Sequence, residues 1–166
     1  MQLGCSTVDW SEISKRHAAG TLADDLMEIE GDEEWVCEVE DWYDSAATWS
    51  SARQIYETLA PHLSPANRRH GDASLAVCLG MREFDDLDAK MECYIQVWAP
   101  DRVQQISQAL EKFDFAELQQ AYDEHHTADK EDLIADFDEL QEYCEQWQRV
   151  LSEAADEGRG ILCHCG

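Results

Sequence analysis

Apolar positions recur in alternating steps of four and three through the last third of the chain: Leu133, Phe137, Leu140, Cys144, Trp147, Leu151 and Ala154. That spacing draws one stripe down a helix, and Gly158 supplies the residue that stops it. Pro100 suits the first position of a helix that turns Val103, Ile106 and Leu110 inward, and Asp114 caps a shorter one through Leu118 and Tyr122. Near the start, Ser6 and Asp9 have the spacing of a capping box before a helix closing at Gly20. Thr21 and Asp24 repeat that signal, with Gly31 as the stop. Trp35, Val39, Trp42, Ala46 and Trp49 form a further stripe, so a longer helix is expected from residue 33. Ser50 or Ser51 interrupts it before Ile55, Tyr56 and Leu59 resume the face.

Strand signals are fewer. SLAVCLG (74–80) is a short apolar run, MECYIQVW (91–98) alternates, and GILCHC (160–165) closes the sequence. Pro61, Pro65, Asn67 and Gly71 mark a loop between the helices and these strands. The sum is one helix-rich α+β domain over residues 1–166, with a small sheet of about three short strands.

Charge changes the picture most. The 166 residues carry 37 Asp and Glu against 12 Lys and Arg, a net charge of −25. High charge alone can mark disorder, but six Trp, five Tyr and four Phe supply a core that disordered chains lack. Eleven carboxylates lie between Arg16 and Arg53 with not one Lys or Arg among them. Residues 61–110 are nearly neutral, and residues 111–166 again hold 16 acids against 4 bases. Such a field repels nucleic acid and anionic membrane and attracts cations or a basic protein. No stretch has the length and apolarity of a membrane span.

Candidate chemistry is sparse. Cys163, His164 and Cys165 form a tempting metal motif, but alternation in a strand sets the thiols on one face and the imidazole on the other. No second Cys pair or matched His pair completes a tetrahedral site, so neither metal nor cofactor is expected. Asp85, Asp86 and Asp88 lack the loop pattern of a calcium site. His125 and His126 fall in a polar turn and point apart. Phosphate-loop, dinucleotide, serine-hydrolase and zinc-protease motifs are all missing. Arg68, Arg69 and His70, the only basic cluster, are read as partners of the chain's own acids. The start, MQLGCSTVDWSEISKRH, has no basic residues followed by an apolar run, so a cytoplasmic protein with seven reduced cysteines is expected.

Three stretches resemble the DUF1877 (YfbM-like) family of small bacterial proteins. YIQVWAPDRVQQISQAL (94–110) is similar to the family's strand, proline-started helix and apolar continuation. FDELQEYCEQWQRVLSEAADEGRGILCHC (137–165) resembles its closing helix, glycine turn and final strand. The helix with Trp42 and Trp49, together with SLAVCLG, resembles its Trp helix and small-residue strand. The likeness fades at 61–73 and before Trp35. It implies a bacterial α+β domain, and it implies no catalytic residues.

The expectation that follows is a non-enzymatic binder of a basic protein, most concretely an immunity protein or antitoxin that plugs the cationic cleft of a cognate toxin. The acids expected to carry it are Glu28, Glu30, Asp32, Glu33, Glu34, Glu38, Asp41 and Asp44, of which Glu34, Glu38, Asp41 and Asp44 fall on the outer sides of the Trp-bearing helix. Those at 123–145 come second; if the two segments meet in the fold their potentials add into one face, and if not the acid merely solvates the outside. One alternative is a small enzyme or metal protein combining sheet cysteines with carboxylates. Another is a housekeeping domain whose charge is incidental.

Overall fold

The computed structural model describes residues 3–29, 34–39, 46–76, 84, 94–127, 134 and 136–165. The chain opens with strand β1 (Leu3–Val8), then helices α1 (Trp10–Ala19) and α2 (Leu22–Met27), the short strand β2 (Val36–Glu38) and helix α3 (Ala46–Leu59). A 3-10 turn at Ala60–His62 leads to α4 (Pro65–Gly71), which runs on as a π-helical turn over Asp72–Ala76. Strand β3 (Tyr94–Trp98), helices α5 (Pro100–Glu111), α6 (Phe115–His125) and α7 (Phe137–Asp156), and strand β4 (Gly160–Cys165) complete it. The result is a helix-rich α+β fold with one antiparallel sheet in the order β2-β1-β4-β3.

Helices cover both faces of that sheet. Cys5, Trp98, Ile161 and Cys163 face a core built with Tyr56 of α3, Val103 and Ile106 of α5, Leu118 of α6 and Trp147 of α7. Val8, Val36, Val97 and Leu162 face the other way, against Ile13 of α1, Leu22 of α2 and Trp35. Removing these side chains from water on two sides is the main stabilising term.

The strongest sequence signals hold. Pro100 opens α5, and Asp114 caps α6 by accepting from the N–H groups of Ala116 and Glu117. α7 is the long helix of the four-three stripe. It starts behind Asp136, which accepts from the Glu139 N–H at 3.0 Å, and closes before Gly158 at φ 65°. Asp9 caps α1, and Gly20, at φ 76°, ends it.

Several expectations are corrected. Ser6 belongs to β1, not to a helix cap; its strand was hidden because both faces are covered, which removes the polar-apolar alternation. α2 ends at Met27, four residues before Gly31. The helix expected from residue 33 is instead strand at Val36–Glu38, because its backbone groups pair along β1: Ser6 opposes Glu38 and Val8 opposes Val36. α3 runs through Ser50 and Ser51 without a break. The expected loop at 61–71 is the 3-10 turn and α4, with Ser64 as the cap that accepts the Asn67 N–H at 3.3 Å. The start of the strand expected at 74–80 is helical, and residues 77–80 lie outside the described set, as do Asp85, Asp86 and Asp88.

Asn67 shows why this segment folds. It is 4% exposed; its amide donates to the Asp114 carbonyl at 3.0 Å, and its oxygen accepts the Asp114 N–H at 2.7 Å. Glu117 accepts the Ser64 N–H and, at 3.0 Å, its hydroxyl. The N-termini of α4 and α6 therefore satisfy each other's orphan groups, a pairing across 47 positions that no local pattern reveals.

One consequence is testable at Asp9. Its carboxylate accepts from the Ser11 hydroxyl and backbone N–H at 2.8 Å and from the Glu12 N–H at 3.3 Å. The Ser11 hydroxyl first, then those N–H groups, hold its pKa below the ordinary 3.8. Asp9→Ala should cost about 1 kcal/mol by urea denaturation at neutral pH. A depressed folded pKa gives stability that is present above the unfolded value. The gap between the two proteins should therefore close as pH falls below 3.8 and through the lower folded pKa. A gap that stays constant into strong acid would rule out the ionised cap.

Candidate acidic surface

On α7 the buried residues are Phe137, Leu140, Tyr143, Cys144, Trp147, Val150, Leu151 and Ala154. The opposite side presents Asp138, Glu142, Glu145, Arg149, Glu153 and Asp156, all exposed and again spaced by fours and threes. At 1.5 Å per residue this ridge is about 27 Å long. It holds five carboxylates and one base, on a helix whose other face is locked into the core. Glu142, Glu145, Gln146 and Arg149 line a shallow open groove of about 450 Å³. Gln141 donates to Glu145 at 2.6 Å along the helix. Asp123 and Glu124 on α6 are exposed as well.

The earlier acids are placed differently from expectation. Glu28 ends α2, Glu34 sits in a turn, and Glu38 closes the edge strand β2; all three are exposed. Glu30, Asp32, Glu33, Asp41 and Asp44 lie outside the described residues. The three that are described occupy no common helix, because Val36–Glu38 is a strand. Nor do Glu28 and the α7 ridge share a side, since α2 and α7 cover opposite faces of the sheet. The sequence carried the ridge all along: the acids are the complement of the apolar stripe.

Four of the Lys and Arg side chains pair with the chain's own acids. Arg16 reaches Asp25 at 2.8 Å and Glu12 at 3.6 Å, and its guanidinium lies 4.2 Å from the Trp35 ring centroid. The bond from Arg16 first, then that from Thr21, keeps the Asp25 carboxyl below the ordinary range. Arg53 pairs with Glu57 at 2.8 Å, Lys15 with Glu12 at 3.2 Å and Arg68 with Asp72 at 3.7 Å. These surface pairs contribute little stability each, but they withdraw positive charge from the outward field.

Among the described residues the histidines and cysteines form no ligand set. His125 stacks on His62 with centroids 3.7 Å apart, and His126 stacks on Tyr122 at 4.4 Å, so the two neighbours do point apart. Among the described residues no three His, Cys, Asp or Glu side chains are arranged to hold a metal ion. Among them, too, no helix is long and apolar enough to cross a membrane.

Three comparisons bear on this fold. The sequence matches the model of a domain of unknown function, DUF1877, over residues 7–164. A search of curated proteins gave no match. The crystal structure of YfbM from Escherichia coli, a protein of unknown function, is similar with a TM-score of 0.55 at 14% identity, covering 99% of each chain.

Proposed function

We propose that this chain, which belongs to the DUF1877 family, is a non-enzymatic, stoichiometric inhibitor that covers a basic surface on a partner protein, as an immunity protein or antitoxin neutralises a bacterial toxin. The α7 ridge is the observation that carries this reading. Its carboxylates sit on a packed helix, so binding has no backbone to order and only side-chain rotamers to fix. With 37 acids and 12 Lys or Arg, one-to-one pairing leaves most acids without an internal counterion. The resulting field speeds encounter with a cationic partner and disfavours anionic ones. Glu28, Glu34 and Glu38 are exposed too, at the end of α2, in a turn and in β2.

The test is co-expression with the product of the adjacent gene. That product alone should arrest growth, and this chain should restore it and co-purify with it in equal amounts. Affinity should fall steeply with salt. Reversing Glu142, Glu145 and Glu153 to Lys should weaken binding by roughly 100-fold and abolish rescue. Reversing Glu28, Glu34 and Glu38 in parallel assigns the contribution of the earlier acids. A harmless neighbour, or binding unchanged by both triple variants, overturns the reading.

A further inference from the structure

The thiols of Cys5 and Cys163 lie 3.7 Å apart, sulfur to sulfur, and both residues are 1% exposed. They are direct partners in the β1–β4 ladder, although 158 positions separate them in sequence. Facing residues of an antiparallel pair have Cα atoms about 4.5–5.5 Å apart, inside the roughly 4.4–6.8 Å that a disulfide spans. The backbone is therefore already in place, and only side-chain rotation separates two thiols from one bond. Cys37 opposes Thr7 instead, diagonal to Cys5, with the Arg159 guanidinium 3.5 Å from its sulfur. Cys144 sits on α7.

We propose that Cys5 and Cys163 are a disulfide-forming pair that, oxidised by a peroxide, fastens β1 to β4. In the first step one thiol gives up its proton and the thiolate attacks a peroxide oxygen; the O–O bond breaks, a sulfenic acid forms, and the other oxygen leaves as hydroxide, which takes up that proton to become water. The second sulfur then attacks the sulfenic sulfur, the S–O bond breaks, and a second water departs with the remaining proton. The thiols lose two electrons in all, and hydrogen peroxide gains them. Hydrogen peroxide is small enough to reach the pair during brief local openings of the sheet. The bond would close a loop through almost the whole described chain, where the constraint on the unfolded state is largest.

The test treats the folded, full-length protein with hydrogen peroxide, blocks remaining thiols, and maps peptides without reduction. A linked peptide pair containing Cys5 and Cys163 is expected, with the loss of two hydrogens and a Tm roughly 5–15 °C above the reduced protein. Reductant should reverse both changes. Cys5→Ser and Cys163→Ala should each remove the link and the shift, while the double variant Cys37→Ser and Cys144→Ala should keep them. Because Cys5→Ser places a hydroxyl in the core, Cys5→Ala takes its place if that variant does not fold, and it should likewise remove the link and the shift. Linkage of Cys5 to Cys37, over-oxidation of either thiol without a link, or a fully reduced pair in the treated protein overturns the proposal.

Discussion

Trp147→Ala is expected to lower stability by about 3–5 kcal/mol, the range of a large aromatic truncation in a core that cannot collapse around the gap. Trp147 is 1% exposed and meets Trp98, 0% exposed, edge to face with centroids 5.3 Å apart at 69°. That contact joins α7 to β3, so truncation opens a cavity between the longest helix and the sheet. Aromatic pairs in this geometry add about 0.5–1.5 kcal/mol beyond the area they bury. Urea denaturation followed by circular dichroism measures the change, and Glu142→Ala on the exposed side of the same helix should stay within about 0.5 kcal/mol. A Trp147→Ala cost below about 1.5 kcal/mol would contradict the tight packing of this junction.

Gly71→Ala is the second large effect, and here two principles oppose each other. Gly71 is the last residue of α4, and replacing a helical glycine by alanine usually adds about 1 kcal/mol of stability. A methyl group at this position, however, would lie 2.5 Å from ring carbons of Tyr56 and nearer still to its hydroxyl. Tyr56 cannot step aside cheaply. It is 1% exposed, and its hydroxyl donates toward the Arg68 carbonyl at 3.1 Å and Asp72 at 3.0 Å. Burial first, then the bond to Asp72, raises its pKa, so the neutral phenol is the form the fold holds. Overpacking should win, with a net loss of about 1–3 kcal/mol in denaturant titrations. In a Tyr56→Ala background the same substitution should become neutral or stabilising, and a double-mutant cycle reads that coupling. Equal effects in both backgrounds would remove the clash as its cause.

The legible parts of the molecule share one property: their signals lie within a few residues of one another. Pro100, Asp114 and Gly158 punctuate α5, α6 and α7 from inside or beside the segments they bound. The α7 stripe exposes its acids for the same reason, since a helix that buries one face presents the other. Trp35 and Val39 misled because four-residue spacing also arises by chance where a strand meets a turn. In the fold they join different cores on opposite sides of the sheet. β1 escaped notice because Cys5 and Val8 are buried on opposite faces, leaving no alternation to read.

By itself, then, the sequence determined the periodic helices, the final strand, the magnitude of the charge and the family. These follow from contacts between near neighbours and from composition. Tertiary structure alone decided that Val36–Glu38 pairs as a strand, that Glu28 and the α7 ridge look out from opposite sides, and that Asn67 joins two helix ends. It also decided that Cys5 meets Cys163. Each of these outcomes depends on which distant segment lies across from a residue, and pairing of that kind leaves no period in the chain that makes it.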